Sequence, residues 1–217
     1  MKSLLLSTLF LAAVATSCNR GGPESAANSI QQIPQPIVAI VPIFDRTANS
    51  DVSWNLSDEL TVGLNRKLAQ KSKLYLADEK KMKLLARKFT SQNDPFSNDL
   101  SWVTRLYHGN EFVVFMELLE HREVPVSQTA NLNSPADLNI SLKVRVVDIR
   151  AEKPRIVLQE ILHDVHHVAR QFTKANFQQI AWGQENFHVT PVAIAHTKFI
   201  KELATRVEDY ILLAASR

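Results

Sequence analysis

Four polar side chains crowd into five positions of the run "HDVHH": His163, Asp164, His166 and His167. Imidazole and carboxylate are zinc ligands and proton carriers, so this is the densest potential chemistry in the chain. If the run is a strand, Asp164 and His166 share one face about 6.6 Å apart, whereas His163 and His167 share the other about 13 Å apart, too far for one ion. Two ligands do not close a zinc site, and His188 or His196 would have to complete it from elsewhere. The plainer reading is a polar edge strand, with a metal-binding protein or hydrolase using the His163 to His167 cluster as the alternative. Asp45 and Thr47 end the first apolar run, a common site position in α/β folds, but a local Asp turn explains them more simply. No phosphate loop, Gly-x-Ser-x-Gly elbow or cysteine pair occurs, and the chain has five glycines. The expectation is a non-enzyme with no catalytic residue, no metal and no cofactor.

Cys18 carries a different chemistry. It is the only cysteine and closes the run "MKSLLLSTLFLAAVATSC". Lys2 supplies the positive start, Leu4 to Val14 the apolar stretch, and Ala15-Thr16-Ser17 the small residues before a cut. This is the pattern of a bacterial lipoprotein signal. Cleavage between Ser17 and Cys18 would leave Cys18 as the new N-terminus, carrying a diacylglycerol on its thiol and a further acyl chain, such as palmitate, on its amine. Two or three chains at about 0.8 kcal/mol per buried methylene make a stable anchor. Asn19 in place of the aspartate that favours inner-membrane retention in enteric lipoproteins is compatible with the outer membrane. A secretory signal with a chance cysteine and an uncleaved anchor are the other readings, and the uncharged stretch from Ser3 to Asn19 is at the lower limit for a spanning helix.

Residues 18–36 hold Gly, Pro, Ser, Asn and Gln with few apolar side chains, the composition of a tether. Such a segment reaches roughly 60 Å when extended and about 25 Å as a coil. Residues 37–217 are long enough for one domain. The charge balance, 25 Lys+Arg against 22 Asp+Glu, is too even to argue for nucleic acid. Basic residues cluster, however, at Arg66, Lys67, Lys71, Lys80, Lys81, Lys83, Arg87 and Lys88. They are either the solvated side of two helices or a contact surface for anionic lipid or an acidic partner.

Periodicity supplies the scaffold. Ile37 to Phe44 is a nearly continuous apolar run, as in a strand buried on both faces, with Pro42 at its end. Leu56, Leu60, Leu64 and Leu68 repeat every four residues in a helix from about Trp54 to Gln70, with Asn55 or Ser57 as cap. A short strand at Lys73 to Asp78 precedes a helix capped by Asp78, and a third helix spans Asn98 to Tyr107. Three strands follow, at Glu111 to Glu120, Leu138 to Ile149 and Arg155 to His167, with a long polar loop over 125–136 and the turn "DIRAEKPR". A helix from Pro191 to Ala215 ends the chain. Trp54, Trp102 and Trp182 fit packing roles better than binding anchors. The order β-α-β-α-α-β-β-β-α specifies an α/β sandwich, a mixed β-sheet packed by helices.

Four segments resemble the fold shared by the periplasmic lipoprotein LpoB, the N-terminal domain of TolB and the curli secretion lipoprotein CsgG. They are "IVAIVPIFDRT", "LNRKLAQKSKLYLAD", "GNEFVVFMELLE" and "LKVRVVDIRAEKPRIVLQE", in that order. The hairpin departs from the pattern with Ala151-Glu152-Lys153 where Thr-Gly is usual, and a CsgG-like secretion pore would need further membrane hairpins. The whole sequence is also similar to an uncharacterised lipoprotein family of chlamydial bacteria. The resemblance implies a cell-envelope setting: a lipid-anchored domain, facing the periplasm with the outer membrane favoured, that binds an unidentified envelope protein and serves envelope or peptidoglycan machinery.

Overall fold

The computed structural model describes residues 34–47, 52–88, 93–126, 135–169 and 181–217. The lipidation and cleavage positions Cys18 and Ser17, and the expected tether as far as residue 33, lie outside them. The domain begins at Pro34, three residues before its expected start, because Gln35 Nε2 donates to the Ser72 carbonyl at 2.6 Å and the Pro36 carbonyl accepts from Tyr75 N at 2.9 Å.

The elements among the described residues are β1 (Ile37–Ile40), β2 (Phe44–Asp45), α1 (Leu56–Lys71), β3 (Tyr75–Leu76), α2 (Glu79–Ala86), α3 (Ser101–Leu106), β4 (Phe112–Pro125), β5 (Ala136–Asp148), β6 (Arg155–Val168) and α4 (Pro191–Ala215), the last preceded by a 3-10 turn over Phe187–Val189. They form one mixed sheet in the order β3-β1-β4-β5-β6, with β2 beside β4. β1 runs parallel to β3 and β4, and β4, β5 and β6 are antiparallel. This is the expected α/β class.

One expected strand divides into two. Pro42 has no N–H to give a ladder, so pairing stops after Val41 and resumes at Phe44. The interrupted backbone is satisfied by α1 instead: Ile43 N donates to buried Thr61 Oγ1 at 3.0 Å, and Ser57 Oγ donates to the Ile43 carbonyl. The polar segment over 125–136 is shorter than expected, because β4 and β5 pair through Pro125 and Ala136. The third helix is a turn and a half rather than ten residues, since Leu100 caps nothing and Asp99 accepts from Ser101 N.

Caps set the other helices. Asn55 Oδ1 accepts from Asp58 N, Asp78 Oδ1 from Lys81 N and Thr190 Oγ1 from Ala193 N, each satisfying a donor that the first turn leaves free. α1 stops at Ser72, which adopts the left-handed conformation at φ 51°. A Cβ is disfavoured there, so Ser72→Gly is expected to raise stability by about 0.5–1 kcal/mol, read as a higher thermal midpoint.

Two apolar clusters sandwich the sheet. On one face α1 and α4 bury Leu56, Leu60, Leu64, Leu68, Phe199, Leu203 and Val207 against Val38, Ile40, Val114, Leu142 and Val144. The two helices approach closely at Gly63, where a Cβ would lie 2.6 Å from Ile200 Cδ1. On the other face Met82 of α2 and Trp102, Val103 and Tyr107 at α3 cover Ala39, Val41, Val113, Phe115 and Val147. Strands of 13–14 residues extend roughly 45 Å, beyond the cover of these two short helices. Among the described residues no helix covers the distal part of that face, which is open.

Candidate interaction face

The open face is built by β4, β5 and β6. A bulge at Leu119 lets Leu118 face Leu142 and Glu120 face Ser141, so Leu119 is the unmatched residue. Beyond it, Leu119, Glu120 and Arg122 of β4 stand with Ser141 of β5 and Ile161 of β6 around a depression of about 620 Å³, closed on one side by Thr47. Ile161 is 60 % exposed, Val165 49 % and Leu119 39 %, large apolar side chains left in water on this face. Polar groups are interleaved with them. Ser141 Oγ lies 2.7 Å from His163 Nδ1 and 3.4 Å from Glu120 Oε2, and Arg122 Nη2 donates to Glu120 Oε1 at 3.4 Å.

The histidine run lies on β6 as expected. Asp164 Oδ2 and His166 Nε2 are 2.9 Å apart on one face, while His163 bonds Ser141 and His167 Nδ1 lies 3.3 Å from Asp137 Oδ1. His188 and His196 do not join them, and among the described residues no group of three or more His, Cys, Asp or Glu side chains is placed to hold a metal. Ser141, His163 and Glu120 do not form a nucleophile–base–acid chain either, because the carboxylate bonds the serine and leaves the imidazole unoriented. Asp45 performs the turn role: its Oδ1 accepts from Thr47 N at 2.9 Å and Thr47 Oγ1 at 2.5 Å.

The basic residues divide between layers. Arg66, Lys67 and Lys71 belong to α1, and Lys80, Lys81 and Lys83 to α2, helices that pack on opposite faces of the sheet. Arg87 and Lys88 follow α2 and are exposed. Two of the eight are engaged internally. Lys71 Nζ lies 3.3 Å from buried Glu208, which Lys73 also meets at 3.0 Å, and Lys83 Nζ sits 3.1 Å from both Asp58 and Glu79. Of the tryptophans, Trp102 is buried, Trp54 is half-buried and Trp182 is more than a third exposed.

The sequence did not single out a buried polar chain that joins three elements. Trp54 Nε1 donates to Glu59 Oε2 at 2.6 Å, His196 Nδ1 lies 2.7 Å from Glu59 Oε1, and His196 Nε2 lies 2.9 Å from His121 Nε2. A carboxylate only accepts, so His196 carries a proton on Nδ1, and one of the two facing Nε2 atoms donates to the other. His121 Nδ1 is buried without a hydrogen-bond partner among the described residues. Burial, and then the neighbouring His196, push the His121 imidazole down to about 3, so it is neutral near pH 7. The chain pins α1 and α4 to β4 beneath the open face. The signal for it is Glu59 and His196 in register with leucine-rich and alanine-rich helical stripes; His121 gives none, because only the bulge turns it inward.

The fold is shared with known structures. The hypothetical protein CT253 from Chlamydia trachomatis is 26% identical, with a TM-score of 0.66 over 82% of this chain and 98% of that one. Protein XCC0632 from Xanthomonas campestris, 10% identical over 86% of this chain and 93% of its own, matches in fold with a TM-score of 0.51. The lipoprotein GNA1162 from Neisseria meningitidis is more distant, 14% identical over 61% of this chain and 82% of that one with a TM-score of 0.39. No curated protein sequence matches. A family model matches residues 24–215, nearly the whole domain and part of the segment before it. The chain therefore belongs to a family of unknown function, DUF7499.

Proposed function

We propose that this chain is a lipid-anchored envelope protein whose α/β domain binds another protein and is not an enzyme. The lipoprotein pattern ending at Cys18 supports the anchor. Among the described residues no helix is long and apolar enough to cross a membrane. The observation that carries the binding reading is the open face, where exposed Leu119 and Ile161 rim a depression edged by Arg122 and Glu120. Apolar residues ringed by charges are the anatomy of a partner site. The motif resemblance to LpoB and TolB points to a periplasmic partner in envelope or peptidoglycan assembly, with the outer membrane as the anchoring surface.

The test is a photo-reactive residue at Leu119 in the full chain in cells. A single discrete adduct is expected, lost when Arg122→Glu reverses the rim charge. Cys18→Ser should release the chain from the membrane fraction or stall its processing. No adduct from Leu119, combined with cell-wall hydrolysis that disappears in Ser141→Ala, would replace the binding reading with a hydrolase acting through Ser141 and His163.

A further inference from the structure

Among the described residues no strand pairs with the outer side of β6. Its 14 residues contain no proline, and every second one directs an N–H and a C=O away from β5. An edge of this length is a template for another strand unless something covers it. The side chains say what would fit.

We infer that β6 pairs with β6 of a second copy of this chain, antiparallel and centred on His163, which continues the sheet across a two-fold axis. That register follows from self-complementarity. With His163 opposite its own copy, Ile161 falls opposite Val165 of the other chain on the open face, and Val165 opposite Ile161. The two most exposed apolar side chains of the strand thus cover each other, as cross-strand pairs do. On the face toward α4, Glu160 falls opposite His166. Glu160 already receives Arg206 at 3.4 Å, and His166 lies 2.9 Å from Asp164. Pairing would join these into an alternating row running Arg206, Glu160, His166, Asp164 across the axis. A register shifted by two residues loses both matches, placing Ile161 against His163 and Glu160 against Asp164. The interface is isologous, the usual form for a dimer. It shares Ile161 with the depression of the partner reading, whose Leu119, Glu120 and Arg122 lie on β4, so Val165 tests the pairing and Arg122 tests the partner.

The single cysteine of the chain makes a direct test possible, since Cys18 is the only background thiol. Directly opposed Cβ atoms lie about 4.5–5.5 Å apart, close to what a disulfide spans. Full-length chain carrying His163→Cys, in cell membranes under mild oxidation, should shift from its monomer band to a species of twice that mass that reductant reverses. Lys201→Cys on the exposed side of α4 and the unsubstituted chain should stay monomeric. Adding Val165→Lys to His163→Cys should abolish the dimer band, while the monomer keeps its protease resistance. Equal dimer from His163→Cys and Lys201→Cys, no dimer from either, or a dimer indifferent to Val165→Lys would each overturn the inference.

Discussion

Arg145→Ala will destabilise the domain by roughly 4 kcal/mol, one of the largest single-residue losses expected in the chain. Arg145 is 3 % exposed on β5, and its guanidinium holds the segment before α3 to the sheet. Nη1 donates to the Pro95 carbonyl at 2.8 Å and the Ser97 carbonyl at 2.6 Å, Nη2 to the Phe96 carbonyl at 2.9 Å, and Nε to Gln159 Oε1 at 2.6 Å. Removing it strands three carbonyls that secondary structure does not satisfy, each costing about 1–3 kcal/mol if it stays dry. Arg145→Lys should recover less than half, because one ammonium cannot span the fork. Urea denaturation measures the loss, and hydrogen exchange over 93–99 locates it. A loss below about 1 kcal/mol would show that water replaces the guanidinium without strain.

Acidification is the second large effect. The His121 pKa is depressed in the folded chain to about 3 and returns to about 6.5 on unfolding. A group depressed by folding contributes stability that is complete above its unfolded pKa. That stability is lost as pH falls toward the folded pKa, because the unfolded chain takes the proton first. Two pH units below about 6.5, the loss from His121 alone is about 3 kcal/mol. Asp148 acts in a separate window. Burial raises its carboxyl, but hydrogen bonds from the Arg150 side chain and backbone and from Arg155 outweigh this and hold it below its ordinary value. Its contribution is therefore present above the ordinary carboxylate pKa of about 3.9 and lost only beneath it. His121→Gln keeps a hydrogen-bonding side chain for His196 without the titration. Its urea midpoint should change little between about pH 6.5 and about pH 4.5, where the unsubstituted chain falls steadily. Parallel slopes for the two proteins would assign the acid sensitivity elsewhere.

What the sequence revealed depended on whether a pattern was local. The four-residue leucine spacing of α1, the cap Asp78, Asn55 as one of two candidate caps, and the bounds of α4 depend on neighbours within a turn, and all were legible. Ile140, Leu142, Val144 and Val146 of β5 alternate with more polar neighbours and turn inward together, although both faces of the strand are largely covered near Val147. Non-local effects were not legible. The bulge at Leu119 reverses the inward side of β4 between Leu118 and His121, so a histidine that alternation sends to solvent enters the core. The basic residues adjacent in sequence separate because β3 lies between α1 and α2 and carries the chain from one face to the other. The open face itself depends on how far two short helices reach along three long strands, a difference of lengths rather than a motif.

β1 has a mechanical consequence that its four residues conceal. It is bonded on both sides, to β3 through Ile37 and Val38 and to β4 through Val38, Ala39 and Ile40, and both neighbours run parallel to it. The chain comes into the sheet at Ile37, whose N–H donates to Glu111 Oε2 and whose carbonyl accepts from Glu111 N. Tension drawn through that point along the strand loads the bonds to both neighbours together, in shear. The same tension on an edge strand would peel them one after another. A domain held by its N-terminal side thus resists pulling through a strand bonded on both sides, and the force passes into the sheet at the opposite end from the face left open.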